Sequence, residues 1–146
     1  MTDNSKPSID AVLDYWIGAA ATDPDATKGR NKIWYGTDPA LDDEIRTKFG
    51  PTLEALEMGR LLEWGDEPNG ALALVIVLDQ FTRNVHRGTA EAFSQDPLAR
   101  AIAVRAVDRG MDKALSICGR AFLYHPFEHS ESPGDQDRSV DLFENL

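Results

Sequence analysis

The chain has 146 residues, 42% hydrophobic and 27% charged, which is room for one domain with a real core and no need of covalent staples. Its 15 basic and 25 acidic residues leave a net charge of −10, so a partner held by phosphate neutralisation is disfavoured and no nucleic acid is expected. The one cysteine, Cys118, excludes an internal disulfide and a multi-cysteine metal site; with a polar amino terminus, MTDNSKPSID, and no apolar run long enough to span a bilayer, a cytoplasmic protein without a membrane partner is expected.

Residues 1–146 read as a single helical domain, with 1–7 as a flexible lead-in. Ser8 is the expected N-cap of a first helix, with Ile9, Val12, Leu13, Trp16 and Ile17 on one stripe and Gly18 at its end. The next twenty residues, including AAATDPDATKGRNK, mix small, polar and breaking types and read as a connecting loop, with Ile33, Trp34 and Tyr35 folding back onto the core. Asp38-Pro39 is a helix start, because Pro at the first helical position lacks only a donor that would go unused there. Leu41, Ile45 and Phe49 keep helical spacing until Gly50-Pro51, which is expected to end the element. Thr52, Leu53, Leu56 and Leu61 make a third helix that runs into the turn-rich GDEPNG, Gly65 to Gly70.

The stretch from Ala71 to Phe93 organises the rest. It opens with eight uninterrupted small or aliphatic residues, Ala71 to Leu78, and turns abruptly polar at Asp79, Gln80, Arg83, Asn84, His86 and Arg87. A segment with no solvent-facing side belongs at the centre of a domain, so the polar run is presented by a buried rod. A strand is rejected, since no other segment alternates with period two and a lone strand has nothing to pair with. Thr89 can cap a short turn carrying Ala90, Ala92 and Phe93, and Asp96-Pro97 repeats the start signal for a helix with Leu98, Ile102, Val104 and Val107 that closes at Arg109-Gly110. A further helix runs from about Asp112 toward Cys118 and on through Arg120 to Tyr124, before Pro126; Ser132-Pro133 opens the last, with Val140, Leu142, Phe143 and Leu146. The fold class is all-α, a single domain of seven or eight short antiparallel helices. Cys118, Trp16, Trp34 and Trp64 read as core residues or loop anchors.

Two polar clusters carry whatever chemistry the chain has. In the first, Asp79 and Arg83 are four apart and can pair, Gln80 and Asn84 form the adjacent row, and Arg83 with Arg87 makes a double-cation face suited to a carboxylate or phosphate. The same residues would equally serve to satisfy the helix end and lock neighbouring loops. The second cluster, FLYHPFEHSESPGDQ from Phe122 to Gln136, gathers His125 and His129 with Glu128 and Glu131. These types can hold a divalent metal or supply a general base, but Pro126 is expected to part the two histidines, so no metal and no cofactor is expected. His129, Ser130 and Glu131 are expected to cap the following helix or to reach the Arg83 region as its partners. A serine nucleophile at Ser130 has no strand-to-helix elbow to present it.

VLDYWIG from Val12, KIWYGTDPALDDEIRTKF from Lys32, LALVIVLDQFTRNVHRGTAEAFSQDPLA from Leu72, the Gly-x-Asp at Gly110 to Asp112, and FLYHPFEHSES with the later Gln136 together resemble the bacterial family of unknown function DUF924. The resemblance covers nearly the whole chain, with DQF-x-RN and HSE in the family's order. It implies an all-helical fold similar to tetratricopeptide-repeat proteins, and it brings no established reaction or ligand. The matching signature positions are Asp79, Gln80, Phe81, Arg83, Asn84, Arg87, Gly88, His129, Ser130, Glu131 and Gln136. The chain departs from the pattern at Thr82, where Pro is usual, and at His86, His125 and Glu128, where family members tend to be apolar. It also stops at Leu146, short of a family segment with Arg-Phe-Pro and Arg-Asn motifs; if that segment packs on the central helix, its absence is expected to leave either an incomplete site or an apolar groove, and a groove is expected to be covered by a second copy, a homodimer.

Two functions of different classes follow. One is a non-catalytic helical module that binds a peptide, a protein or a small anionic ligand, with Arg83 and Arg87 as anion contacts. The other is a small hydrolase-type enzyme in which His129 and Glu131 meet Asp79 and Arg83 in one pocket, with or without a metal. The candidate ligand-binding residues are Asp79, Gln80, Arg83, Asn84, Arg87, His129, Ser130, Glu131 and Gln136.

Overall fold

The computed structural model describes residues 7–23 and 26–146; for residues 1–6, the reading of a flexible lead-in lies outside them. α1 (Ile9–Trp16) starts where the sequence places it, with extended Ser8 accepting the Ala11 N–H at 2.9 Å. After a 3-10 turn (Gly18–Ala21), the expected loop is partly a helix, α2 (Thr27–Tyr35). Its reason is tertiary. The Trp34 ring packs edge-on against Phe122 with centroids 5.0 Å apart, and its indole N–H donates to the Trp16 carbonyl at 2.8 Å. Ile33 also reaches the core, whereas Tyr35 does not fold back and stays 71% exposed.

The second and third expected helices are one, α3 (Pro39–Glu57), which runs through Gly50-Pro51. Proline disfavours helix before it largely by clashing with its predecessor's Cβ, and Gly50 has none. The hydrogen bond that Pro51 cannot donate is outweighed by Phe49, Thr52, Leu53 and Leu56, all buried around it. Asp38 caps the helix start, its carboxylate accepting the Ala40 N–H at 2.9 Å.

The apolar stretch becomes a single rod. α4 (Pro68–Val75), a π-helical segment (Ile76–Phe81) and α5 (Thr82–Val85) follow without a break, the junction residues Ile76 and Thr82 keeping right-handed helical backbone. Gly70 to Asp79 are all buried. Gly70 has no room for a side chain, because a Cβ there would stand 1.9 Å from the Trp64 carbonyl oxygen.

α6 (Asp96–Asp108) opens at the expected Asp96-Pro97 and ends before Gly110, whose φ of 73° suits glycine. The helix expected from Asp112 begins later, as α7 (Ile117–His129), where Ser116 accepts the Gly119 N–H at 3.0 Å; Asp112 itself sits in a 3-10 turn (Met111–Ala114). α8 (Pro133–Glu144) closes the described chain. α1, α3, α6 and α7 pack around the rod. Phe81 is the hub of the aromatic core, with Phe49 at 4.6 Å and Trp16 at 5.5 Å between ring centroids. Fully buried, it fixes the end of the rod, and its removal would cost about 3–5 kcal/mol. The fold is all-α: no strand occurs among the described residues, and no helix among them is long and apolar enough to cross a membrane.

Candidate functional site

The π-helical segment sets the geometry of the polar run. A π turn holds one residue more than an α turn, so residues beyond it are rotated by about 100° relative to an uninterrupted helix. Asp79 sits inside that segment with its side chain 1% exposed. Gln80 donates to one carboxylate oxygen of Asp79 at 2.7 Å, and His129 Nδ1, from the end of α7, faces the other at 2.8 Å. The bond to Asp79 raises the His129 pKa above the ordinary imidazole value, against burial and the nearby Arg83 charge. Arg83 donates to the Asp79 backbone carbonyl and lies 3.7 Å from its carboxylate, but its fork closes on Asp96 with two bonds of 3.1 Å. Its plane also covers the Phe93 ring at 5.1 Å.

Arg87 goes the other way. The helix ends at Val85 with His86 as its C-cap, so Arg87 lies past the end and the four-residue spacing to Arg83 no longer puts both on one face. It grips Asp42 of α3 at 2.7 and 3.0 Å, and Asn84 donates to the same carboxylate at 2.9 Å. Arg87, together with Asn84, holds the Asp42 carboxyl below its usual range, and the pair raises Arg87 in turn. The double-cation face read from the sequence is therefore two separate internal locks, Arg83 to Asp96 and Arg87 to Asp42.

The HSE stretch divides likewise. Ser130 donates to Asp135 at 2.6 Å and accepts the Ser132 N–H at 3.2 Å, while Arg100 of α6 forks onto Asp135. Gln136 donates to the Glu128 carbonyl at 2.7 Å and to the Ser130 carbonyl. These bonds bind α8 to the end of α7. Glu131 is exposed and, among the described residues, joins none of the other candidates.

The structure also overturns the reason given against metal. Pro126 lies inside α7, buried with Phe122, Leu123, Tyr124 and Phe127, and the helix continues to His129. His125 and His129 thus share one helix face, their rings edge-on with centroids 5.7 Å apart, and with Asp79 they offer ligand atoms all within 4.8 Å of one another. His125 stacks on Phe122 at 5.1 Å, and burial lowers its pKa below the ordinary imidazole value, which favours the neutral ring. It also lines an open cavity of about 490 Å³ between the 3-10 turn, α2 and α7, whose walls include Ala20, Trp34, Ile117, Cys118 and Phe122. Burial raises the Cys118 thiol above its ordinary value, which fits a wall residue more than a reactive one.

The profile of a family described as bacterial protein of unknown function, DUF924, matches residues 12–146. The chain belongs to that family. The DUF924 chain is also similar to a solved structure, that of the protein of unknown function ATU0120 from Agrobacterium tumefaciens, at 35% identity and a TM-score of 0.82, covering 94% of this chain and 73% of that one. No curated protein matches it. The DUF924 sequence by itself singled out Arg83, Arg87, Asn84, Ser130 and Gln136, but not Asp42, Asp96, Asp135 or the cation Arg100, which complete the locks. Aspartates that start helices or dot an exposed face look alike in one dimension, and only Asp96, in its Asp-Pro pair, carried a local signal.

Proposed function

We propose that the chain is a non-catalytic binding module whose ligand seat is the cavity between the Gly18–Ala21 turn, α2 and α7, taking an apolar or aromatic group of a peptide or small molecule. The carrying observation is that cavity: about 490 Å³, within the size range of small-ligand sites, walled mostly by apolar groups and furnished with one imidazole at His125. Exposed Tyr35 and Ile117 extend its apolar rim. An anion has less support, because both arginine forks already hold carboxylates. The tetratricopeptide-repeat likeness implied by the family resemblance adds an argument by analogy, since such folds serve mostly in interactions.

The test uses 8-anilinonaphthalene-1-sulfonate as an apolar probe and Ala121→Phe, a change in the cavity wall, as the blocking variant. Saturable binding of one probe per chain should weaken at least about tenfold in the variant, with its melting point retained. Equal binding by both proteins would refute the seat. A hydrolase-type reading keeps one specific support, the hydrogen-bonded Asp79–His129 pair beside the His125 wall. A panel of ester and phosphoester substrates, with His129→Gln as the control, would detect it.

A further inference from the structure

We propose that Asp79, His125 and His129 form a binding site for one divalent metal ion of the zinc class. Two residues of the set come from successive turns of α7 and the third from the π-helical segment of the central rod, so the set spans two rigid elements and no loop. One ligand atom from each lies within 4.8 Å of the others, and the His129 Nδ1 to Asp79 Oδ1 distance is already 2.8 Å. Ligand atoms around a tetrahedral zinc stand about 3.4 Å apart, given bonds of about 2.1 Å, so small side-chain rotations close the set without moving the backbone.

The donor types choose the metal. Two imidazoles and one carboxylate suit Zn²⁺, with Co²⁺ and Ni²⁺ as probes, whereas Mg²⁺ and Ca²⁺ prefer oxygen throughout. The surroundings orient the ligands as outer-shell groups do at metal sites. Gln80 holds the second oxygen of Asp79 and leaves Oδ1 turned toward the histidines. Arg83 is the opposing charge, 3.7 Å from Asp79 Oδ1 and 3.3 Å from His129 Nδ1, but its fork is anchored on Asp96. With both imidazoles neutral, as metal ligation requires, two carboxylates against one guanidinium leave a formal −1 that a cation would offset. The His129 side chain is 30% exposed and His125 lies in the cavity wall, so water reaches the edge of the triad, as it does at metal sites that keep an open place for a ligand.

The inference does not rest on the cavity reading. His125 belongs to both, but Ala121→Phe tests the cavity without touching a metal ligand, and His129→Leu tests the metal site outside the cavity wall. The experiment is a Zn²⁺ titration of the chelator-stripped full chain against a chromophoric chelator, repeated with Co²⁺ to read its visible d–d bands. One ion per chain is expected, with the intense absorption of four-coordinate cobalt and an affinity that falls roughly 100-fold or more in His125→Leu and in His129→Leu. His86→Leu, which leaves the triad intact, should bind as the wild type does. Absence of stoichiometric Zn²⁺ binding by the folded wild type would overturn the site, as would wild-type affinity in either triad variant. Wild-type binding is read on unaltered protein, so a variant that misfolds leaves that arm decisive.

Discussion

Asp135→Asn isolates one lock and permits its size to be worked out. Asp135 is buried on α8 and receives the Arg100 fork and the Ser130 hydroxyl, which pull its pKa from 3.8 down to about 2. A folded-state value below the unfolded one means that the ionised carboxylate favours folding, so this stability is present in full above the unfolded pKa and is lost as pH falls toward the folded pKa. The shift corresponds to about 2.4 kcal/mol at most, and with Arg100 half exposed, screening reduces it to about 1–2 kcal/mol. In a chain of this length, that is a melting-point loss of roughly 3–6 °C for Asp135→Asn at pH 7. Urea unfolding of both proteins at pH 7, 5 and 3 is the assay. The wild-type advantage should be flat from pH 7 to 5 and about halved at pH 3, because there the unfolded aspartate is mostly protonated and the folded one mostly ionised. An advantage that keeps its full size at pH 3 would refute the argument, since the side chain would then be acting through shape or neutral hydrogen bonds.

Removing Arg87 as Arg87→Ala leaves the buried Asp42 with Asn84 as its remaining partner in that lock, and should cost about 2 kcal/mol; a double-mutant cycle with Asp42→Ala should return a coupling of about 1–2 kcal/mol by urea denaturation. A coupling near zero would mean that the pair holds nothing together. Pro51→Ala should stabilise the protein by about 1–2 kcal/mol, because the exposed residue regains a backbone donor inside α3 at the cost of a more flexible unfolded chain. A lower melting point in that variant would show that the proline helps the helix in a way its backbone chemistry does not.

Much of this molecule is legible locally. Ser8, Asp38-Pro39 and Gly110 mark helix ends by short-range hydrogen bonding and backbone freedom, each where the sequence puts it, while Asp96-Pro97 opens α6 one residue early, with Gln95 as N-cap and the Asp96 carboxylate turned to Arg83. Ala71 to Leu78, apolar on every side, can only be central, and it is. Three features were decided elsewhere. α2 exists because Trp34 finds Trp16 and Phe122, and Pro51 and Pro126 stay within helices because the aromatic and aliphatic groups around them outweigh one missing donor. The partners of the signature residues are the third, since whether Arg87 binds an anion from outside or Asp42 depends on a residue 45 positions away. Local preferences amount to about 1–3 kcal/mol and can be read along the chain. The burial that overrides them, and the long-range ion pairs, depend on which helices meet, and only the packed structure determines that.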